Sequence, residues 1–181
     1  MSNFVFIATS IDGFISAPDG NLDWLDYVPF PDGEDGGFAD FIKRVDAIVM
    51  GRVTFETVVG FGRGWHYAVP GIVLSSTLSS APAEFADHVE FAKGTPREIV
   101  ALANERGFND LYIDGGKTVQ NFLDADLIDE LIITEIPILL GGGVRLFGQL
   151  GQQLGFELVG TRTIVNRILQ RHYRRNRHEA G

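Results

Sequence analysis

The sequence has no cysteine, which excludes disulfides, thiolate catalysis and cysteine-ligated zinc or iron–sulfur, and which fits a reducing compartment. No stretch approaches the ~18 consecutive apolar residues of a membrane span. The opening residues MSNFVFIATS lack a basic start and carry too short an apolar run for a signal peptide, so the chain reads as soluble and cytoplasmic. Positive charge is scarce, with 15 Lys and Arg against 24 Asp and Glu and a formal net charge of −9. Such a field opposes nucleic acid and anionic membranes, so an anionic ligand needs a local basic pocket. The histidines, His66, His88, His172 and His178, have no metal-ligand spacing, and no metal site is expected. What is plentiful is apolar material: 45% of the 181 residues are hydrophobic and 14 are Phe, enough for one core and one domain over residues 1–181.

Short β-type runs alternate with helix-like stretches, the pattern of a largely parallel sheet covered by helices on both sides. The runs are residues 4–8 (FVFIA), 47–50 (AIVM), 71–74 (GIVL), 89–92 (VEFA), 111–113 (LYI) and 131–136 (LIITEI). Their near-continuous apolarity predicts strands buried on both faces. Residues 156–163 and 168–174 flank Val165-Asn166-Arg167 and read as a C-terminal antiparallel hairpin at an exposed edge. Thr95-Pro96-Arg97-Glu98 is a capping box with Pro at the first helical position, and Gly107 supplies the stop. Further short helices are expected over residues 37–44, 53–59 and 117–125. Residues 16–36 hold too many Pro and Gly for a regular element, and so long a loop is more often functional than idle. Gly141-Gly142-Gly143 reads as a structural loop.

Three junctions carry the chemistry. At Met50-Gly51-Arg52-Val53-Thr54 and at Asp114-Gly115-Gly116-Lys117-Thr118 a buried strand runs into glycine and then a helix, and at Leu74-Ser75-Ser76-Thr77 a strand ends in hydroxyls. Free N–H groups and the helix dipole make such ends anion sites, and glycine lets a ligand approach the backbone. One such glycine is an ordinary turn residue, but three junctions along one sheet edge, with Arg52 and Lys117 beside them, suit the phosphates of a dinucleotide. Neither G-x-G-x-x-G nor the P-loop pattern is present. Asp12-Gly13 after the first strand can orient a substrate amine or feed a proton, although Asp-Gly is also a common turn. Phe38, Phe41, Phe61 and Trp65 can wall a flat heterocycle, with plain core as the alternative for each. The basic stretch over residues 171–177 reads as a solvated edge and tail.

Residues 48–57 (IVMGRVTFET), 71–77 (GIVLSST), 114–123 (DGGKTVQNFL) and 129–137 (DELIITEIP), in this order, resemble the dihydrofolate reductase fold. Residues 122–147 together with 10–15 (SIDGFI) are closer to the reductase domain of the riboflavin-biosynthesis deaminase/reductase. The resemblance spans nearly the whole chain. It implies a three-layer α/β fold with a mostly parallel sheet of about eight strands, and an NADPH cofactor. By position it implies phosphate contacts at Gly51, Arg52 and Thr54, an adenine and 2′-phosphate side at Leu74, Ser75 and Ser76, a pyrophosphate turn at Gly115, Gly116, Lys117 and Thr118, and a nicotinamide flank at Ala8 and Ile15. It further implies substrate positions at Trp24 and Thr134, with Glu135 on the opposite face of that strand. Relatives also suggest a homodimer.

The departures from both groups matter. The folate enzymes carry an acid four residues before a Phe of the first helix; Gly37 stands there relative to Phe41, while Glu34 stands four before Phe38. The Arg that follows Pro-Gly to grip the folate tail is missing at Ile72, and Phe14 replaces the Lys of the riboflavin-pathway reductases. The reading is therefore an NADPH-dependent reductase of a small pterin- or aminopyrimidine-type heterocycle, with Asp12 and Thr134 as its polar catalytic groups. Dihydrofolate reduction and 5-amino-6-(5-phosphoribosylamino)uracil reduction are the specific candidates, with Arg63 or Arg145 available for a ribose phosphate. A non-catalytic NADPH-binding sensor is the alternative.

Overall fold

In a computed structural model, residues 1–78 and 80–177 are described; His178 lies outside them. The strands are β1 (Ser2–Ser10), β2 (Phe14–Ser16), β3 (Ala47–Gly51), β4 (Gly71–Leu74), β5 (Val89–Ala92), β6 (Asp110–Asp114), β7 (Glu130–Ile136), β8 (Val144–Arg145), β9 (Phe156–Ile164) and β10 (Ile168–Arg175). The helices are α1 (Phe38–Ile42), α2 (Arg52–Gly60), α3 (Pro96–Glu105) and α4 (Gly116–Asp124). Eight strands form one sheet in the order β5-β4-β3-β6-β1-β7-β10-β9. It is parallel from β5 to β7, and the C-terminal strands β10 and β9 are antiparallel.

Each central strand is apolar on both faces because each face is covered. Val5, Val49, Leu111 and Ile113 pack with Ile99 and Ala103 of α3 and Val119 and Phe122 of α4. Phe4, Ile48, Met50 and Tyr112 pack on the other side with Phe41 and Ile42 of α1 and Phe55 of α2. The capping box of α3 forms as its sequence predicts, with Thr95 and Glu98 each accepting from the other's backbone N–H.

The hairpin between β9 and β10 turns on Val165 and Asn166, both with positive φ, and closes with Arg167 N–H on the Ile164 carbonyl. This is the turn whose twist suits paired strands. The edge strand is β9; β10 lies inside the sheet between β7 and β9, so its alternation reflects one interior position rather than an edge. The cations of its second half are paired, Arg171 with Glu135, Arg174 with Glu130, Arg175 with Asp126, and Arg177 just beyond it with Asp129.

Of residues 16–36, Ser16 ends β2, Asp23–Tyr27 form one short 3-10 turn, and the rest are irregular. The two-stranded ribbon of β2 and β8 departs from the sequence reading: residues 14–16 pair antiparallel with Val144–Arg145, immediately after the glycine triplet. Runs of two and three residues carry no periodicity, and only the fold brings them together.

Candidate active site

The strand order places β3 and β6 side by side, yet the helices that follow them leave to opposite faces, α2 to one and α4 to the other. A crevice opens at such a switch point, beyond the C-terminal ends of parallel strands. Here it is a cleft of about 730 Å³. One end is built from two helix starts. Gly51 precedes α2 and Gly115 precedes α4, neither helix has a side-chain cap, and neither has an acid in its first turn, so their leading N–H groups and dipoles are open to the cleft they line.

Two glycines make that end a cradle. Gly115 has φ +87°, and a Cβ there would strike the Thr54 hydroxyl. A Cβ on Gly116 would lie 2.7 Å from Val144 Cγ1 and 3.0 Å from Ile15 Cδ1. Arg52 and Lys117 supply positive charge. The Arg52 guanidinium is held by both oxygens of Glu56, at 2.6 and 2.8 Å. Both partners are largely exposed, and such pairs contribute little, so the guanidinium can be recruited by a stronger anion.

The rest of the lining is largely apolar and aromatic, with Phe6, Leu22, Leu25, Val58, Phe61, Tyr67 and Tyr112, and it holds one acid, Asp114, which borders the glycine cradle. Asp114 is the last residue of β6, and its carboxyl accepts the Gly115 N–H at 2.8 Å. Burial pushes its pKa up to about 6, against the lowering effect of that bond and of the Tyr112 hydroxyl. Tyr112 donates to the Phe6 carbonyl at 2.8 Å. Burial and then the nearby Asp114 raise the pKa of both Tyr67 and Tyr112, so both phenols stay protonated. In the sequence Asp114 belongs to the strand–glycine motif, and the signal that marks it is an acid at the last position of an otherwise apolar buried strand.

The cleft brings together Ala8, Ile15, Gly51, Arg52, Thr54, Leu74, Gly115, Gly116, Lys117 and Thr118 from six separate elements and the turns between them. It also gathers Gly20, Leu22 and Leu25 of the long loop. Other expected residues stand behind or beyond its lining. Ser75 follows Leu74 and closes a turn by accepting the N–H groups of Thr77 and Leu78, with Ser76 beside it. Phe41 is core: it stacks on Phe6 at 4.8 Å and meets Tyr112 edge-on at 5.1 Å, backing two lining rings. Trp65 packs over Gly71, donates to the Val69 carbonyl and supports Tyr67 edge-on. Trp24 is buried with Val28, Ile136, Ile164 and Ile168.

The two expected polar catalytic groups are engaged elsewhere. The Asp12 carboxylate accepts from Ser10 Oγ (2.6 Å), Leu140 N–H (3.1 Å) and Gly141 N–H (2.8 Å). The Ser10 bond above all draws its pKa down to about 2, so it is an ionised staple for the loop after β7 and not a proton source. Thr134 lies beside Ala8 on the same sheet face, but it is buried and its hydroxyl accepts from Gln170 Nε2 at 2.9 Å. Glu135 faces the opposite side and pairs with Arg171 at 3.0 Å. Glu34 accepts from Gly36 N–H and lies 3.7 Å from Arg162. Among the described residues no group of three or more His, Asp or Glu could hold a metal ion, and no helix is long and apolar enough to cross a membrane.

Residues 4–170 match the family model of the RibD C-terminal domain. The Bacillus subtilis (strain 168) protein YwjB, itself uncharacterized, is 35% identical over 171 residues, 93% of this chain and 95% of that protein. A crystal structure from Shewanella sp. PV-4, of a protein named provisionally for riboflavin biosynthesis, superposes with a TM-score of 0.94 at 48% identity, covering 98% of this chain and all of the other. Dihydrofolate reductase from Enterococcus faecalis, solved with NADP(H), shares the fold at a TM-score of 0.67 and 22% identity, over 97% of this chain and 96% of that one. The Thermotoga maritima deaminase and 5-amino-6-(5-phosphoribosylamino)uracil reductase does so at 0.71 and 17%, over 97% of this chain and 56% of that one.

Proposed function

The chain belongs to the RibD C-terminal domain family, and from that premise we propose that it is an NADPH-dependent reductase of a small pterin- or aminopyrimidine-type ring, acting in the cytoplasm. The observation that carries this reading is the pairing, in one cleft, of a basic glycine cradle with aromatic walls and a single half-buried carboxyl. The residues fit the dinucleotide: Gly115 and Gly116 let Thr54, Ile15 and Val144 close tightly around the turn, the starts of α2 and α4 receive its phosphates, and Arg52 and Lys117 supply the counter-charge. When bound, the cofactor supplies a hydride. The chain's own part is to hold ring and cofactor together, to exclude water with Phe6, Phe61, Tyr67 and Leu25, and to deliver a proton from Asp114 to the ring nitrogen or oxygen beside the reduced carbon. A carboxyl whose pKa lies near 6 is protonated often enough near neutrality to do so.

The experiment is direct. NADPH should bind the purified protein and be oxidised with a reducible pterin or aminopyrimidine, and Arg52→Ala should weaken binding by about tenfold, the scale of one charge-assisted hydrogen bond. An unaltered Kd in that variant removes the phosphate assignment, and tight binding with no oxidation across a ring panel favours a sensor. The assembly belongs to the same reading: the exposed Leu158 and Val159 on edge strand β9 suit docking of a second copy of the chain.

A further inference from the structure

The lining of the cleft has a definite charge character. Phe6, Leu25, Phe61, Tyr67 and Tyr112 are uncharged, and Asp114 is the ionisable acid among them. Among the described residues lining the whole cleft, the basic side chains are Arg52 and Lys117, each in the first turn of its helix at the glycine cradle. With those two cations engaged by the cofactor's phosphates, a phosphate carried on the ring would meet an apolar lining that holds one carboxyl and no further basic side chain, and that arrangement opposes its binding.

Arg44, Arg63, Arg145 and Arg162 lie outside the cleft lining. Arg145 lies over the Phe14 ring at 4.5 Å and donates to the Asp12 carbonyl. Arg162 stands beside Glu34 and against Gly37. Arg44 pairs with Glu130. Arg63 follows Phe61 by two residues, in the exposed loop after α2 and outside the cleft lining. Phe14 itself is buried and outside the cleft lining.

We propose that the substrate of this site is a flat, unphosphorylated heterocycle whose amino or ring N–H group faces Asp114, unlike the phosphoribosyl compound in the name of the Thermotoga maritima relative. The inference rests on the reductase reading above and narrows it. Aromatic walls favour a planar ring, and a single carboxyl gives it one polar anchor, enough to orient it without a tail contact.

The test is calorimetric, on the whole protein saturated with NADPH, with saturation checked first by the cofactor's fluorescence. The probes are 5,6-diaminouracil and 5-amino-6-(5-phosphoribosylamino)uracil. The unphosphorylated ring should bind at least tenfold more tightly. Phe61→Arg, at a site 53% exposed where the new side chain need not disturb the core, should tighten the phosphoribosyl compound by about tenfold relative to 5,6-diaminouracil, whatever the lost ring contact costs both probes. Equal or tighter binding of the phosphoribosyl compound to the unaltered protein overturns the proposal, and its loss in Arg63→Ala would then locate the phosphate. Binding of neither ring to the NADPH-loaded protein overturns it as well, while the cofactor half of the reductase reading stands. Failure of NADPH itself to bind ends both.

Discussion

Asp114 works under two opposing demands. Burial destabilises its ionised form, and the same burial keeps a proton available near neutral pH. If Asp114 donates that proton, kcat/KM should fall as pH rises through about 6, and Asp114→Asn should lower kcat by about a hundredfold and flatten that limb of the profile. A pH profile unchanged in the variant would take Asp114 out of the proton step. The stability effect has the opposite sign. The folded carboxyl keeps its proton up to about 6, whereas an unfolded one loses it near 3.8, so stability declines as pH rises across that window. Near pH 7 the Asn variant should therefore be more stable by up to about 3 kcal/mol in urea denaturation, with the gain gone below about pH 4. Asp12 is the contrast: already ionised and bound by Ser10, Leu140 and Gly141, it should tolerate Asp12→Asn with less than about a tenfold loss of turnover. Both acids precede glycine in the sequence. Which one keeps a proton depends on what surrounds each, and a linear pattern does not carry that.

At the scale of elements, helix starts do two different jobs in this fold. The start of α3 is closed by its own side chains, Thr95 and Glu98, and faces solvent; Thr95→Ala should cost about 1 kcal/mol of stability and leave NADPH affinity unchanged. The start of α4 is open, with a glycine at φ +87° where a side chain would need. Gly115→Ala combines a left-handed φ with a collision against Thr54, so it should cost about 1–3 kcal/mol and also abolish measurable cofactor binding. Thermal denaturation and a fluorescence titration on the two variants separate the roles, and equal losses of binding in both would refute the distinction. Both starts were legible as local patterns, because capping boxes and strand–glycine–helix junctions are set by adjacent residues. The β2–β8 ribbon was not, since its partners lie more than a hundred residues apart and neither is long enough to show a period.

The whole molecule adds what neither residue nor element contains. Edge strand β9 is exposed along most of its length, and Leu158 and Val159 offer apolar surface there. If a second copy covers it, light scattering should give a dimer mass, and Leu158→Arg should shift the protein toward monomer without altering NADPH affinity; a monomer at all concentrations would refute this assembly. The shortage of positive charge, with the absence of cysteine, already narrowed the chemistry to a ligand held at local cations without a thiol. By itself the sequence determined the alternation of strands and helices, the α3 cap, the hairpin and the three glycine or hydroxyl junctions, because period, capping and turn chemistry act over a few neighbouring residues. The tertiary structure alone decided that Gly51 and Gly115 open on one cleft, that Phe41, Trp24 and Trp65 are packed away from its lining, and that Asp114 rather than Asp12 lines it. Those outcomes follow from strand order and from burial, in which β3 and β6 become neighbours although sixty residues separate them, and a carboxyl's ionisation is fixed by groups far from it in the chain.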